Sequence, residues 1–432
     1  MIHNTIFKGC PSPHRITTRF YKVLAIESSC DDSCVALLDK YHPDKPPLII
    51  DQFKKTLNSA DTGGIIPTAA INFHHTNIAS LTQALCLKHN ITSSNPPDLI
   101  CVTRGPGMVG SLSSSIQFAK GLSVAWDVPL IGVHHMLGHL LTAQLPKTEQ
   151  PDLKPPEYPF LSLLCSGGHT MLVHSKSLTE HEIILDVNGI AVGDSLDKCA
   201  RELGMHGNML GKELEKFVDT ISPEEIEEFE SMNMISRSNN EYNFKLTLPF
   251  VNGGINKEDN ICFSFAQFLS AIQQYKGFYK GVGGGEELYD AKTKRMLAYM
   301  IQERIFDHMI NRINVAFKQH GTGVRADGKL IGVKNFICSG GVASNQRLRR
   351  KLQSELKFDM LDVSDVTFHF PDLSLCTDNA IMIGNAGINI FEQLKLKSSL
   401  EIMPIIRWPL NELVSIGGWV EMNDEEYNKV IQ

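Results

Sequence analysis

Two histidines four residues apart, His135 and His139 in the run GVHHMLGH, are the side chains in this 432-residue chain best placed for metal chemistry. On a helix that spacing puts two imidazoles on one face, close enough to share a cation, while His134 points to another face. A zinc protease of the HExxH kind also needs a glutamate beside the first histidine as general base. Met136 stands there instead, so the protease reading loses its catalyst.

Glycine turns form a second group of candidates. Gly105, Gly107 and Gly110 in RGPGMVG fit GxGxxG between a strand and a helix. The only acidic residue near the required distance is Asp127, which follows the helix where a dinucleotide site wants the end of a second strand. The stretch therefore reads as a turn that lets helix and sheet approach closely. Ser166-Gly167-Gly168 and Ser339-Gly340-Gly341 offer unblocked backbone N–H groups, the second at the opening of a helix whose dipole favours an anion. Together with the acidic hairpin turn Cys30-Asp31-Asp32-Ser33 they supply what is needed to enclose a nucleotide between two lobes. By local pattern alone, Asp197 in GDSLDKCARELG lies on a solvated helix face and Asp378 in CTDNA is a helix N-cap. Arg347, Arg349, Arg350 and Lys351 read as a solvated basic face.

The elements that must position these groups follow from hydrophobic periodicity. Val23 to Leu38 and Phe160 to His174 each read as strand, tight polar turn, strand, one device used twice. Asp98 to Thr103 and Phe336 to Cys338 are strands leading through glycine turns into helices, so the chain is expected to be an α/β protein with two sheet-centred lobes. Pro146 to Glu157, Thr220 to Asn243, Lys276 to Glu287 and Gln319 to Gly328 read as surface loops or insertions.

Composition sets limits on function. A hydrophobic fraction of 42% suits two packed domains, and the net charge of −7 excludes a strongly basic nucleic-acid coat while leaving room for a local basic face. Apolar runs such as Ile131 to Leu141 are cut by histidines and glycines before they could span a bilayer, so a soluble protein with no membrane partner is expected. Ten cysteines scattered without a CxxC pair fit a reducing compartment. The first 22 residues carry Lys8, Arg15, Arg19 and Lys22 with no acidic residue before Glu27, the composition of an organelle transit peptide or of a disordered basic tail.

In order along the chain, VLAIESSCDD, GGIIP, RGPGMVGSL, GVHHMLGH, SGGHT, GDSLDK, SGGVASN and CTDNAIMIG resemble the motifs of the tRNA threonylcarbamoyladenosine transferases, a family once labelled sialoglycoproteases, over residues 23 to 412. With its basic leader the chain looks most like the fungal mitochondrial branch. The resemblance implies an actin-like, sugar-kinase-like fold of two ribonuclease H-like lobes with a nucleotide cleft between them. It divides the chain into a transit peptide at 1–22, a first lobe at 23–155, a second lobe with insertions at 156–375, and a segment at 376–432 returning to the first.

By the same resemblance, His135, His139 and Asp378 hold one divalent metal ion per subunit, zinc or iron. Leu164, Cys165, Ser166, Gly167, Gly168, Asp197, Gly211, Glu215 and Asn345 hold the adenylate and its threonylcarbamoyl group, and Asp31 and Asp32 are the acidic pair facing the reacting centre. The proline and paired glycines usual after GDSLDKCARELG are replaced here by MHGNMLG, across which Gly211 and Glu215 are aligned. The implied partners are tRNA, threonylcarbamoyl-AMP from a separate synthase, and a second copy in a homodimer, all in the mitochondrion. An ATPase or kinase of the actin-like superfamily would share the hairpin turns without needing the metal site, and a non-catalytic RNA-binding scaffold would need neither.

Overall fold

A computed structural model describes residues 3–4, 21–59, 64–148, 150–234, 240–252, 255–280 and 290–431. Most of the expected leader and the centre of the insertion near 276–290 lie outside the described residues. The chain divides into two compact units. The first comprises Met1–Glu157, Lys176–Glu182 and Pro371–Gln432, the second Tyr158–Ser175 and Ile183–Phe370.

The first unit is built on β1 (His3–Asn4), β2 (Tyr21–Glu27), β3 (Asp32–Lys40) and β4 (Leu48–Thr56), then α1 (Pro67–Lys88), β5 (Leu99–Gly105), α2 (Val109–Trp126), β6 (Leu130–His134) and α3 (His135–Leu141). Its sheet runs β1-β4-β3-β2-β5-β6, with β2, β3 and β4 antiparallel and β5 and β6 joined in parallel to β2. Every residue of β2 and of β5 is buried, as expected for central strands covered on both faces. Helix α1 turns Ala70, His74, Ile78, Leu81 and Leu85 inward at helical spacing.

In the second unit β7 (Phe160–Cys165), β8 (Thr170–Ser175) and β9 (His181–Val187) lead to α4 (Val192–Glu202), α5 (Leu210–Val218) and α6 (Pro223–Ser231). A short ladder, β10 (Val251–Asn252) with β11 (Ile255–Asn256), precedes β12 (Cys262–Phe263), α7 (Ala266–Lys280), α8 (Ala291–His320), β13 (Asn335–Ser339), α9 (Gln346–Glu355) and β14 (Thr367–His369). The sheet order is β12-β9-β8-β7-β13-β14. Apart from β1 and β12, each sheet thus has its third strand outermost, then the second, first, fourth and fifth, with an antiparallel first hairpin and parallel later strands. That is the ribonuclease H-like order expected of each lobe.

The chain then returns to the first unit as α10 (Ala380–Leu394), β15 (Leu396–Ser398), β16 (Trp419–Glu421) and α11 (Asp424–Ile431). Helix α10 is buried almost all round and packs against β2, β3 and α3. Among the described residues no helix is long and apolar enough to cross a membrane, and no disulfide joins the nine described cysteines.

Three expectations need correction. Strand pairing begins at Tyr21, opposite Lys40, and not at Val23. The Tyr21 ring is fully buried and its hydroxyl donates to Glu392 Oε1 at 2.9 Å, so the aromatic side chain draws the sheet two residues further back. His3 and Asn4 also pair with the outer edge of β4, so the leader does not stand wholly outside the fold. The stretch from Thr220, read as a loop, contains α6, which is capped by Ser222, seats Phe229 in the core and bonds Glu225 to Arg295. Its acidic surface hid the apolar residues Ile226 and Phe229 that pack against the core.

Candidate active site

The end of β6 passes directly into α3, so His135 and His139 leave the sheet on one turn of helix. His134 is the N-cap, its Nδ1 accepting the Met136 N–H at 3.1 Å while its Nε2 lies 2.9 Å from the Trp408 carbonyl. That arrangement aims it away from its two neighbours. Asp378 comes from the start of α10, where the cap is Asn379, whose side chain accepts the Met382 N–H. The expected N-cap role of Asp378 is therefore wrong by one residue, and the carboxylate is released to turn toward α3. His139 Nε2 stands 3.1 Å from Asp378 Oδ1 and His135 Nε2 stands 3.5 Å from it. One ligand atom from each of the three residues lies within 4.8 Å of the others. Two imidazole nitrogens and a carboxylate oxygen form a donor set suited to zinc or iron.

A residue not singled out by pattern completes this cluster. Glu27, the last residue of β2, is fully buried. It accepts the Ser29 N–H at 2.6 Å and the Thr103 hydroxyl, and its Oε2 lies 3.4 Å from His135 Nδ1. A carboxylate behind a histidine fixes the ring and leaves the far nitrogen to ligate, as in metal sites generally. Burial opposes charge on His135, yet Asp378 and Glu27 together raise it to about 9. Burial likewise opposes charge on Asp378, but His135 and His139 hold its carboxyl well below the usual range. The buried His139 Nδ1 has no hydrogen-bond partner. A glutamate closing an otherwise apolar run, VLAIE, was the available signal for Glu27, since an acid rarely ends a central strand without a partner.

Asp31 and Asp32 occupy the β2–β3 turn. His74 of α1 grips this turn, its Nε2 lying 2.9 Å from the Cys30 carbonyl and its Nδ1 2.8 Å from the Ser33 hydroxyl. Burial raises Asp31. For Asp32, burial comes first, Lys54 opposes it, and Asp31 and Asp378 add to it, giving about 7.

In the second unit the remaining candidates form a closed ring of contacts. Ser166, in the β7–β8 turn, accepts the Gly193 N–H of α4 at 3.2 Å. One turn further along α4, Asp197 Oδ1 accepts the Gly211 N–H at 2.5 Å, and Glu215 on α5 accepts the Gln346 N–H at 3.1 Å. Asn345 caps α9 by accepting the Arg347 and Leu348 N–H groups. The ring closes where the Gly340 turn lies so near the Cys165 carbonyl that a Cβ on Gly340 would come within 2.5 Å of its oxygen. Gly167 and Gly168 are exposed with open space about them, as a phosphate-binding turn requires. Leu164 and Cys165 are buried at the end of β7, where they pair with Met171 and Thr170 of β8.

Here too local pattern misleads. Asp197 is half-buried and bonded, not solvated. The Ser339 turn opens a 3-10 turn, Gly341–Ser344, five residues before α9 begins. Of the basic run only Arg350 is exposed as a solvated face would be. Arg349 is buried and donates to the Ala343 carbonyl, Arg347 pairs with Glu303, and Lys351 pairs with Asp307 and Glu303. In the first unit the RGPGMVG turn behaves as expected of a packing turn, and Asp127 is the left-handed C-cap of α2.

Residues 49–385 match the sequence pattern of the tRNA N6-adenosine threonylcarbamoyltransferases, TsaD. The chain belongs to that family. It is 34% identical over 419 residues to the mitochondrial tRNA N6-adenosine threonylcarbamoyltransferase of Schizosaccharomyces pombe, covering 95% of this chain and 92% of the relative. The Lactobacillus johnsonii tRNA N6-adenosine threonylcarbamoyltransferase is 30% identical over 395 residues, covering 91% and 98%. Among solved structures, component A of (R)-2-hydroxyglutaryl-CoA dehydratase from Acidaminococcus fermentans is similar at a TM-score of 0.41 and 13% identity, covering 85% of this chain and 95% of that one. The family is one of transferases.

Proposed function

We propose that the His135–His139–Asp378 cluster is where this family member transfers a threonylcarbamoyl group. The donor is threonylcarbamoyl-AMP and the acceptor is N6 of the adenosine 3′ of the anticodon in mitochondrial tRNAs reading codons that begin with A. The observation carrying the reading is the convergence of three ligand atoms within 4.8 Å, drawn from two segments far apart in sequence.

The exocyclic amine of adenine is a weak nucleophile because its lone pair is delocalised into the ring, so the acyl group must arrive activated as a mixed anhydride. A divalent cation held by His135, His139 and Asp378, zinc or iron, would polarise the acyl carbonyl. Glu27 keeps His135 oriented for that task. As the N–C bond forms and the C–O bond to phosphate breaks, AMP departs as an anion and the amine's proton passes to the Asp31–Asp32 pair. The second unit's Ser166 to Gly168 turn, with Asp197, Gly211, Glu215 and Asn345, is assigned the adenylate. The acceptor base must leave its stack in the anticodon loop to react. On this reading the donor comes from a separate synthase and the chain works as a homodimer; its place in the mitochondrion is in keeping with the mitochondrial relative.

The test is reconstitution. The purified protein is mixed with a threonylcarbamoyl-AMP synthase, tRNA, threonine, bicarbonate and ATP, and nucleosides are read by mass spectrometry. The expected outcome is modified adenosine and AMP release in equal amounts, with His139→Ala losing bound metal and most activity while keeping its fold. ATP turnover by the protein alone, without tRNA modification, would favour the kinase or ATPase reading. Unchanged metal content and activity in His139→Ala would remove the metal from the mechanism.

A further inference from the structure

The geometry points to Lys54 as the positioning residue that sets Asp378 in place and occupies Asp32, leaving Asp31 as the carboxylate that takes the proton from the amine. An ammonium has three donors, and in this structure all three are placed. Lys54 Nζ lies 2.6 Å from Asp32 Oδ2, 2.8 Å from the Asp378 carbonyl and 3.3 Å from Thr377 Oγ1. It has no N–H left to offer a substrate. Its action is to cross-link the β2–β3 turn to the segment that carries a ligand more than 300 residues further along the chain.

The rest of β4 supports the same assignment. Two residues back, on the same face of the strand by its period of two, Gln52 Oε1 accepts the Ala380 N–H at 3.0 Å and the Ile381 N–H at 3.4 Å, tying down the first turn of α10. Asp378 precedes that helix and gains no rigidity from its ladder; its carboxylate faces His135 and His139, while its backbone carbonyl is held by Lys54 at 2.8 Å and more weakly by the Cys34 thiol at 3.8 Å. On the other side, Thr56 Oγ1 donates to Asp32 Oδ1 at 2.5 Å. Both Asp32 oxygens are therefore engaged and the residue is buried. Asp31 is half-buried, and among the described residues no ion pair engages its carboxylate.

This inference rests on the transferase reading above and deepens it, and the experiment separates the two. The full chain, saturated with zinc, is assayed with threonylcarbamoyl-AMP and tRNA well below its melting temperature. Lys54→Met is expected to lower kcat by about 100-fold, the scale of a misplaced reacting group, with the KM for threonylcarbamoyl-AMP changed by no more than about twofold. Lys54→Arg should recover about tenfold of that loss. Asp31→Asn should lose more activity than Asp32→Asn, and Lys54→Met with Asp32→Asn should be no slower than Lys54→Met alone. A purely structural lysine would lower the melting temperature and leave kcat intact, and that result overturns the inference. Strictly additive losses, or a larger loss from Asp32→Asn than from Asp31→Asn, overturn it too. Should Lys54→Met fail to fold because Asp32 is left unpaired, the double variant carries no orphan charge and gives the reading: slow supports the inference, wild-type speed refutes it. Absence of transfer in the wild type sinks the transferase reading itself, whereas wild-type transfer with a normal Lys54→Met sinks this inference alone.

Discussion

Replacing Glu27 by glutamine keeps the side chain's shape and removes its charge, which makes it a sharp probe of how the histidine cluster is prepared. Glu27 Oε1 receives the Ser29 N–H at 2.6 Å, so the glutamine carbonyl would take that place and turn its NH2 toward Thr103 and His135 Nδ1. A donor there reverses the demand on the imidazole. In the neutral ring, the form that ligates, Nδ1 must then accept and the proton sits on Nε2, the nitrogen 3.5 Å from Asp378 Oδ1. A protonated nitrogen cannot ligate, so metal binding must carry the cost of returning the tautomer. Loss of such an orienting carboxylate typically lowers metal affinity 10- to 100-fold, about 1.4 to 2.7 kcal/mol. The fold itself should survive, because the variant sheds a buried charge while glutamine can still pair with Ser29, Thr103 and His135, each without charge assistance. Zinc dissociation constants for wild type and Glu27→Gln, from competition against a chromophoric chelator at fixed pH, provide the measurement. Constants agreeing within about twofold would refute the idea that Glu27 sets the tautomer of His135.

Two further expectations concern other parts of the chain. His308 on α8 is buried, its Nε2 accepting the Ser264 N–H at 3.0 Å, and burial with the nearby Arg312 lowers it from 6.5 to about 3. Below about pH 6.5 the unfolded chain binds a proton that the folded one refuses, so stability falls with pH and the loss reaches roughly 3 kcal/mol by about pH 4. Urea midpoints for His308→Gln should fall less steeply over that window, and parallel curves would contradict the assignment. Deleting residues 1–20, which spares Tyr21 and Lys22 of β2, should leave transfer intact in vitro while abolishing the modification in mitochondrial tRNA. Organellar tRNA still modified in cells by the truncated protein would show that the leader is not the import signal.

The parts of the fold legible in the sequence were those that repeat locally. Both hairpins fall where alternating apolar runs flank a polar turn, and the strand-turn-helix units at Leu99 and Asn335 follow the change of period. The HxxxH pair was legible because helical spacing alone brings its rings together. What escaped was anything fixed by distant chain. Lys54, Gln52 and His74 look like ordinary strand and helix residues until Asp32, Ala380 and Cys30 are placed beside them. The basic run at 347–351 reads as solvated because its acidic partners, Glu303 and Asp307, lie on another helix some 40 residues earlier. The displacement of the α10 cap from Asp378 to Asn379 is a contest between adjacent residues with similar capping strength. Tertiary demand for a free carboxylate decides it.

The glycine turn between β5 and α2 also changes how sensitivity to substitution should be read. A Cβ on Gly107 would stand 2.8 Å from the Ser29 carbonyl oxygen, and one on Gly105 would stand 2.1 Å from that of Ile405. Neither neighbour is a side chain that can swing away. Ser29 in turn lies 3.2 Å from His135 Nδ1 through its hydroxyl, and the Met108 N–H donates to its carbonyl. In a saturation scan scored by growth, these glycines would appear as intolerant as the histidines themselves, although no ligand need ever touch them. An inhibitor programme or a function-prediction scheme that ranks residues by intolerance alone would enlarge the catalytic pocket by a turn that serves only as the seat on which it rests.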